Sequence, residues 1–263
     1  MQLTLRVIDA AGTVKGETTG AREAVLVYRE EYKPGDRLEL VASQAGHAWV
    51  SLDAGVMPAL LYLTEAPYAF VVPFSDARKT YAPLAFEGQL HRLQVRQAEP
   101  CEVAARRNLA LNPFDQHGNA AVFPHAEANV ETRGEAAFAA RNAIDGERAS
   151  HDHGFWPFTS WGINRDPEAA LTLHFGRPVL LDEVVLYLRA DFPHDAWWQG
   201  ASISFSDGSL AQLSLRKSGN GQRFPLERRV VEWAKLHTLI KADDPSPYPA
   251  LTQIEFWGSE TQG

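Results

Sequence analysis

The sequence predicts an all-β protein built from two β-sandwich domains, and three observations lead to this fold class. Apolar and polar residues alternate over many short segments of the chain. The 263 residues include 19 glycines and 16 prolines, which supply turns between those segments. No segment before residue 100 keeps the 3.6-residue period of an amphipathic helix. Short strands bounded by turn residues are typical of sandwiches and barrels, and this length allows two domains with separate cores.

The N-terminal domain is predicted to cover residues 1–100. Leu3, Leu5 and Val7 alternate with polar neighbours, as expected of a strand with one buried face. Further strands are predicted at 24–28, 38–42, around 49, and at 60–62, 70–73 and 90–95. Residues 98–107 contain Pro100 and several charges that interrupt the strand pattern, so we expect a brief linker there.

The C-terminal domain is predicted to cover residues 108–259. It opens with a long, turn-rich stretch that carries many histidines and aromatic residues. Within it, the alanine-rich segment Glu135 to Ala143 predicts a short helix. Strands are then predicted at 170–175, 184–188, 202–206, 210–215, 230–233 and 253–258.

Charge and cysteine content exclude several classes of function. The formal net charge is −8, which argues against binding to nucleic acid phosphates and to anionic membranes. A single cysteine, Cys101, rules out an intrachain disulfide. The N-terminus alternates like a strand and lacks the basic and apolar regions of a secretion signal, so we expect a cytoplasmic protein without membrane insertion.

Seven landmarks of the second half occur in an order that resembles a known family. They are Asn108-Leu109-Ala110, Ala143 to Gly146, Ser160-Trp161-Gly162, Ala170 to Gly176, Val184 to Tyr187, Ser204 to Gly208 and Thr252 to Gly258. This order resembles the discoidin, or coagulation-factor type C, domains and their bacterial carbohydrate-binding relatives. The resemblance covers residues 108–259 and implies a galactose-binding-like jelly roll that holds a carbohydrate.

The chain also departs from that family. The stretches from Asn108 to Asp145 and from Asp145 to Trp161 are longer than the family's pattern, and the paired cysteines of many animal members are absent, which favours the bacterial branch. The resemblance implies a structural calcium ion near Asp145 and Glu255, with Ser150 and the carbonyl of Ala143 as further ligands. Calcium is bound by carboxylate and carbonyl oxygens of this kind.

Two loops carry the residue types that sugar recognition requires. A pyranose needs an aromatic face for its C–H side and polar side chains for its hydroxyls. The loops 151–166 and 189–198 supply both, whereas Trp161 is predicted to pack in the core. The predicted sugar-binding residues are His151, His153, Trp156, Asn164, Arg165, Arg189, His194 and Trp198.

The same loops leave alternative functions open. Their histidines, arginines and Tyr187 include every residue type that a polysaccharide lyase needs, and Asp152, Asp191 and Asp195 could supply two carboxylates for glycoside hydrolysis. The pair His151 and His153, together with His194 and Asp195, also suggests a transition-metal site. An exposed apolar tip at 155–158 would instead favour a protein-interaction module. We expect the N-terminal domain to act in packing or in a homodimer.

Overall fold

The computed structural model describes residues 1–151, 154, 156–190 and 196–261, and it is nearly all β, as predicted. The N-terminal domain contains eight strands and one short helix. Their bounds are β1 Gln2–Ile8, β2 Val14–Ala21, β3 Glu23–Tyr28, β4 Arg37–Ala42, β5 Gly46–Ser51, β6 Ala59–Leu63, β7 Tyr68–Val71, α1 Ser75–Arg78 and β8 His91–Gln97.

The remaining elements form the linker and the C-terminal domain. They are α2 Pro100–Ala104, β9 Arg107–Asn108, β10 Val122–Phe123, β11 His125–Ala128, β12 Trp161–Gly162, β13 Leu171–Leu188, β14 Trp198–Phe205, β15 Leu210–Ser214, β16 Gln222–Lys241 and β17 Ala250–Glu260. Among the described residues, none of the helices has the length and apolar character required to span a bilayer.

Two antiparallel sheets form the N-terminal sandwich, with strand orders β2-β1-β4-β7 and β10-β6-β5-β8-β3. Alternation places every second residue in the core: Ala24, Leu26 and Tyr28 of β3 are buried, while the residues between them face solvent. Strand β2 was missed because its sequence is polar, and it contributes no fully buried residue. It forms an edge strand through its hairpin with β1.

The boundary predicted at residues 98–107 does not separate the two domains completely, because residues that follow it pack in the N-terminal core. Phe114 lies beyond residue 108 yet is fully buried in the N-terminal core, together with Val122. Strand β10 pairs with β6 of the N-terminal sheet. The ring of Phe123, in the same strand, packs so closely on Gly176 that a Cβ there would lie 2.3 Å from the ring. The segment from 114 to 123 therefore belongs to both domains.

Two local predictions differ from the structure. The expected linker contains helix α2, whose first turn is stabilised by a capping box between Glu99 and Glu102. The helix predicted from Glu135 to Ala143 was wrong, because two 3₁₀ turns form, Ala136–Phe138 and Ala140–Ala143, separated by an extended Ala139. Tertiary contacts override the alanine propensity there: the backbone N–H of Ala140 donates to the Glu131 carboxylate at 2.7 Å.

The C-terminal domain is a sandwich whose two layers share the long strands β13 and β16. The first part of β13 pairs with β11, and its second part pairs with β17. Strand β16 pairs with β13 along both parts and also with β14. Gly176, with φ of +70°, lies between the two parts of β13. Trp161, Phe175 and Phe256 are buried in one core between the layers, as expected for Trp161.

A half-buried ionic cluster around Glu260 connects the two domains. The Glu260 carboxylate lies 2.5 Å from Arg107, 2.6 Å from Arg177 and 3.1 Å from Nε2 of His47, which belongs to the N-terminal sheet. Burial alone would raise the pKa of Glu260, but the hydrogen bonds from His47 and Arg177 outweigh it and hold that pKa well below its usual range. Glu260 is therefore ionised at neutral pH and contacts side chains from both sides of the junction.

Candidate functional site

Residues of the loop 151–166 line three separate cavities rather than one site. Asn164 and Arg165, at its end, line a cavity within the C-terminal domain. Trp156, in its middle, lines a cavity between the two domains. His151 is exposed, and its backbone N–H donates to the carbonyl of Pro157 at 3.1 Å. Two of the predicted sugar ligands, His153 and His194, lie outside the described residues.

The first cavity, called here the loop cavity, has a volume of about 180 Å³. It brings together three of the predicted residues, because the chain turns at residues 162–165 beside the end of β13 and the start of β17. Its polar and aromatic lining comprises Thr132, Arg133, Phe138, Ser160, Asn164, Arg165, Arg189 and Tyr248.

Arg165 and Tyr248 form a stacked pair at this cavity. The guanidinium carbon of Arg165 lies 4.3 Å from the centre of the Tyr248 ring, and Nη2 of Arg165 donates to the Tyr248 hydroxyl. Such a cation–π contact orients both side chains. Tyr248 was not among the predicted site residues, although it lies in the proline-rich segment Pro245 to Pro249 just before β17. Aromatic residues in such turns are the signal that could have identified it.

The backbone around the loop cavity adopts a conformation that side chains disfavour. Arg133, Asn164 and Arg165 have φ of +54°, +49° and +62°. Non-glycine residues rarely enter this left-handed region, and strained residues cluster at binding and active sites. A hydrogen bond of 2.9 Å from the backbone N–H of Asn164 to Oγ1 of Thr132 holds one of these turns in place.

Two buried polar side chains form the inner wall. Arg189 follows β13 directly, is only 2% exposed, and donates from Nη1 to the carbonyl of Phe158 at 2.5 Å. Ser160 is fully buried, and its hydroxyl has no hydrogen-bond partner among the described residues. Buried hydroxyls are usually paired, and this unpaired one belongs to a residue that lines the loop cavity.

The prediction for Trp198 conflicts with its position. Its side chain is fully buried in the core of the C-terminal sandwich, although the residue borders a third cavity together with Arg165. Trp198 opens β14 and is fully buried, whereas Trp197, just before the strand, is half-buried and packs against the same core. Trp161 also has a structural role, because its indole N–H donates to the carbonyl of Val130 at 3.0 Å.

The second cavity, called here the interdomain cavity, has a volume of about 230 Å³. Met57 and Tyr81 of the N-terminal domain line it opposite Arg141, Asp145 and Trp156. Burial raises the pKa of Asp145 to about 7, against the opposing influence of the nearby Arg141. The carboxylate also accepts hydrogen bonds from the backbone N–H of Glu147 at 2.8 Å and from Nε2 of Gln253 at 2.7 Å.

The predicted calcium ligands do not fit a calcium site in their present arrangement. The Glu255 carboxylate is buried and already bound by the Arg148 guanidinium at 2.6 Å and by the indole N–H of Trp257 at 2.7 Å. Asp145 is bonded to Gln253 instead, and Ser150 is half-buried. A cation would have to displace Arg148, so calcium stays a prediction that these contacts do not support.

A transition-metal centre receives no support from the residues that the structure describes. Among them, no three His, Cys, Asp or Glu side chains come together as a metal site would require.

Comparisons with known proteins identify similar solved structures. No family model matches the chain, and no curated protein matches it. A chitosan-binding module from a Paenibacillus sp. IK-5 chitosanase/glucanase is 19% identical, over 59% of this chain and 100% of that module, with a TM-score of 0.38. The family 32 carbohydrate-binding module of C. perfringens NanJ, in complex with galactose, is 15% identical over 50% of this chain and 91% of that one, with a TM-score of 0.39.

The lectin domain of lectinolysin, complexed with Lewis B antigen, is 18% identical, over 58% of this chain and 97% of that domain, with a TM-score of 0.42. At these identities and TM-scores the alignments assign no function to this chain.

Proposed function

We propose that this protein binds a carbohydrate in the loop cavity. The observation that carries the proposal is the convergence of Asn164, Arg165 and Arg189, which lie on two different loops, with Tyr248 around one cavity. Each of the three had been predicted to contact a sugar from residue type alone. The convergence of these groups in a single concave site is what sugar recognition requires.

The chemistry of the lining matches a sugar residue. Phe138 and Tyr248 supply aromatic surface for the C–H side of a pyranose ring. Asn164 and Arg165 are exposed and offer amide and guanidinium donors to the hydroxyl oxygens. The hydroxyl of Ser160 can both donate and accept, and it lacks a partner among the described residues. Polar and aromatic groups are thus available together.

The backbone supports the same interpretation. Three left-handed residues at one cavity cost folding free energy, of the order of 1 kcal/mol or more each. Such strain aims the side chains of Arg133, Asn164 and Arg165 in directions that an ordinary turn would not give. Contacts with Tyr248 and Glu135 hold Arg165 and Arg133, respectively, before a ligand arrives, which lowers the entropy lost on binding.

Binding is favoured over glycoside hydrolysis at this cavity. Hydrolysis needs two carboxyl groups on opposite sides of the glycosidic bond. Within the described part of the chain, no aspartate or glutamate lines the loop cavity, and the predicted acids Asp152, Asp191 and Asp195 lie outside the described residues. Elimination by a lyase requires a different set of catalytic residues, which includes arginine and tyrosine. Because both residue types line this cavity, lyase activity needs a separate test.

A glycan array tests the proposal with wild-type protein and two variants, Arg165→Ala and Tyr248→Ala. Loss of the stacked pair should weaken binding about tenfold, which corresponds to about 1.4 kcal/mol. Arg92→Ala, an exposed arginine in the N-terminal domain, is the matched control and should bind like wild type. Binding that survives both loop-cavity variants would refute the site.

The lyase alternative is followed on polyuronates by the ultraviolet absorbance of an unsaturated product. An absorbance increase that Arg165→Ala or Tyr248→Ala abolishes would make the protein an enzyme. A glycan-binding signal without any absorbance change would mean that the protein binds polyuronates or other glycans without cleaving them by elimination.

A further inference from the structure

The interdomain cavity shares no lining residue with the loop cavity, and it is built from both domains. Met57 comes from the β5–β6 connection, and Tyr81 follows helix α1. Arg141, Asp145 and Trp156 come from the C-terminal domain. Packing alone does not account for the polar groups and the exposed aromatic side chain that meet there.

Arg141 is the central cation of this cavity. Its guanidinium carbon lies 4.5 Å from the centre of the Tyr81 ring, and Nη1 donates to the side-chain oxygen of Asn142 at 3.3 Å. Its Nη2 is buried, and it has no acceptor among the described residues. A buried guanidinium N–H without an acceptor is costly. A ligand oxygen that reached Nη2 would remove that cost.

Apolar surface lies beside this donor. Trp156 is 37% exposed and Met57 is 48% exposed, although both line the cavity. Exposed large apolar side chains at a concave, polar site are typical of ligand contacts. An indole ring with a neighbouring thioether offers a face for the C–H side of a sugar.

The charges of the lining restrict the class of ligand. Arg141 is the single cationic group among the lining residues that the structure describes, and Asp145 and Glu147 are both acids. The two acids would repel a ligand that carries a carboxylate or a sulfate. The hydroxyls of a neutral sugar can instead donate to the carboxyl oxygens of Asp145 and Glu147 and accept from Arg141. The volume of about 230 Å³ lies below the ~300–1,000 Å³ of drug-sized ligand sites, so it suits a single sugar residue.

We infer that the interdomain cavity is a second carbohydrate site, which holds one neutral sugar residue between Trp156 and Arg141. Nη2 of Arg141 donates to a ring or hydroxyl oxygen, and the indole of Trp156 covers the apolar face. The acids Asp145 and Glu147 accept hydrogen bonds from hydroxyl groups. The N-terminal domain thereby contributes directly to recognition, through Met57 and Tyr81. This site does not depend on the loop cavity, since none of its residues lies there.

Indole N–H signals in nitrogen-15-labelled protein test this inference. The chain has seven tryptophans, and Trp156→Phe identifies the signal of Trp156. Methyl glycosides of galactose, glucose and N-acetylglucosamine are the neutral probes, while glucuronic acid and glucosamine are the charged ones. We expect the Trp156 signal to shift, saturably, with at least one neutral glycoside. In Arg141→Lys, which keeps the charge but loses the Nη2 donor, the dissociation constant should rise about tenfold.

Saturation-transfer difference spectra give a second measurement that does not depend on Arg141. Saturation of the aromatic protons should reach the C–H protons of the glycoside, and Trp156→Ala, at an exposed position, should reduce the transfer. Arg92→Ala is the control for an arginine change elsewhere on the surface. Thermal unfolding of each variant verifies that it remains folded.

The outcomes separate this inference from the proposed function. A Trp156 shift that persists in Arg165→Ala and is weakened in Arg141→Lys supports a second, independent site. No Trp156 shift with any neutral glycoside would overturn it, as would a shift that only glucuronic acid or glucosamine produces. An unchanged affinity in Arg141→Lys would overturn the role of Arg141. In each of these failures, glycan binding that is lost in Arg165→Ala alone would still support the loop cavity.

Discussion

Asp145 offers a test of the structure through the pH dependence of stability. Its ordinary pKa of 3.8 is raised to about 7 in the folded protein, mainly by burial. The folded state therefore binds this proton more tightly than the unfolded state does. The stability that the protonated group supports is present in full below the ordinary pKa and is lost progressively as the pH rises toward 7.

The size of this change in stability follows from the shift in the pKa of Asp145. About three units at ~1.36 kcal/mol each give an upper bound of about 4 kcal/mol, of which about 2–3 kcal/mol is lost between pH ~5 and pH ~8. Asp145→Asn keeps an oxygen that can accept from Gln253 and from the Glu147 backbone, but it cannot ionise. We expect the free energy of unfolding of this variant, relative to wild type, to rise by that amount over the interval.

Urea unfolding followed by tryptophan fluorescence at the two pH values measures this difference. Glu65→Gln, which neutralises an exposed acid, is the control and should show the same pH dependence as wild type. Equal pH dependence of Asp145→Asn and wild type would refute the argument, because it would mean that Asp145 is ionised at no cost in the folded protein.

Two further predictions concern buried groups. Ser160→Ala removes a buried hydroxyl that has no partner among the described residues. We therefore expect the free energy of unfolding to stay level or rise by up to about 1 kcal/mol, while the affinity for glycan falls. A variant that loses both stability in urea unfolding and glycan binding on the array would contradict this prediction. Glu260→Gln leaves Arg107 and Arg177 without their carboxylate, and we expect a loss of about 3 kcal/mol in urea unfolding near neutral pH. Because the pKa of Glu260 is lowered, the loss should shrink as the pH falls below its ordinary value of 4.5, and a loss that is independent of pH would contradict the ionic explanation.

The strand pattern was the most predictable part of the structure. Alternating apolar residues identified β1, β3, β4 and β8 because each buries one face, and the same rule failed for β2, which buries none of its residues fully. The long strand β13 had been predicted as two strands. Sequence alone does not reveal that residues 171–188 continue through the bend at Gly176 and pair in both layers.

The candidate site was predictable in residue type but not in arrangement. Asn164, Arg165 and Arg189 were chosen from their chemistry and line one cavity in the structure, and their role in sugar binding stays a prediction. Trp198 does not line this cavity, and the sequence alone does not reveal that it is fully buried while the adjacent Trp197 is half-buried. Tyr248 lies 83 residues from Arg165, and local patterns do not indicate contacts over such a distance. The helix expected at 135–143 failed for a similar reason, since Glu131 and Asn142 provide competing hydrogen bonds.

The shared segment between the domains has a consequence for how this protein can be divided. Phe114 and Val122 follow the linker in the chain, yet they complete the core on the other side of it. If the protein were expressed as two fragments divided between β8 and β9, the N-terminal fragment would lack part of its hydrophobic core. The C-terminal fragment would expose Phe114 and Val122 to solvent. We therefore expect the two fragments to associate and fold together when they are mixed, rather than to fold stably alone.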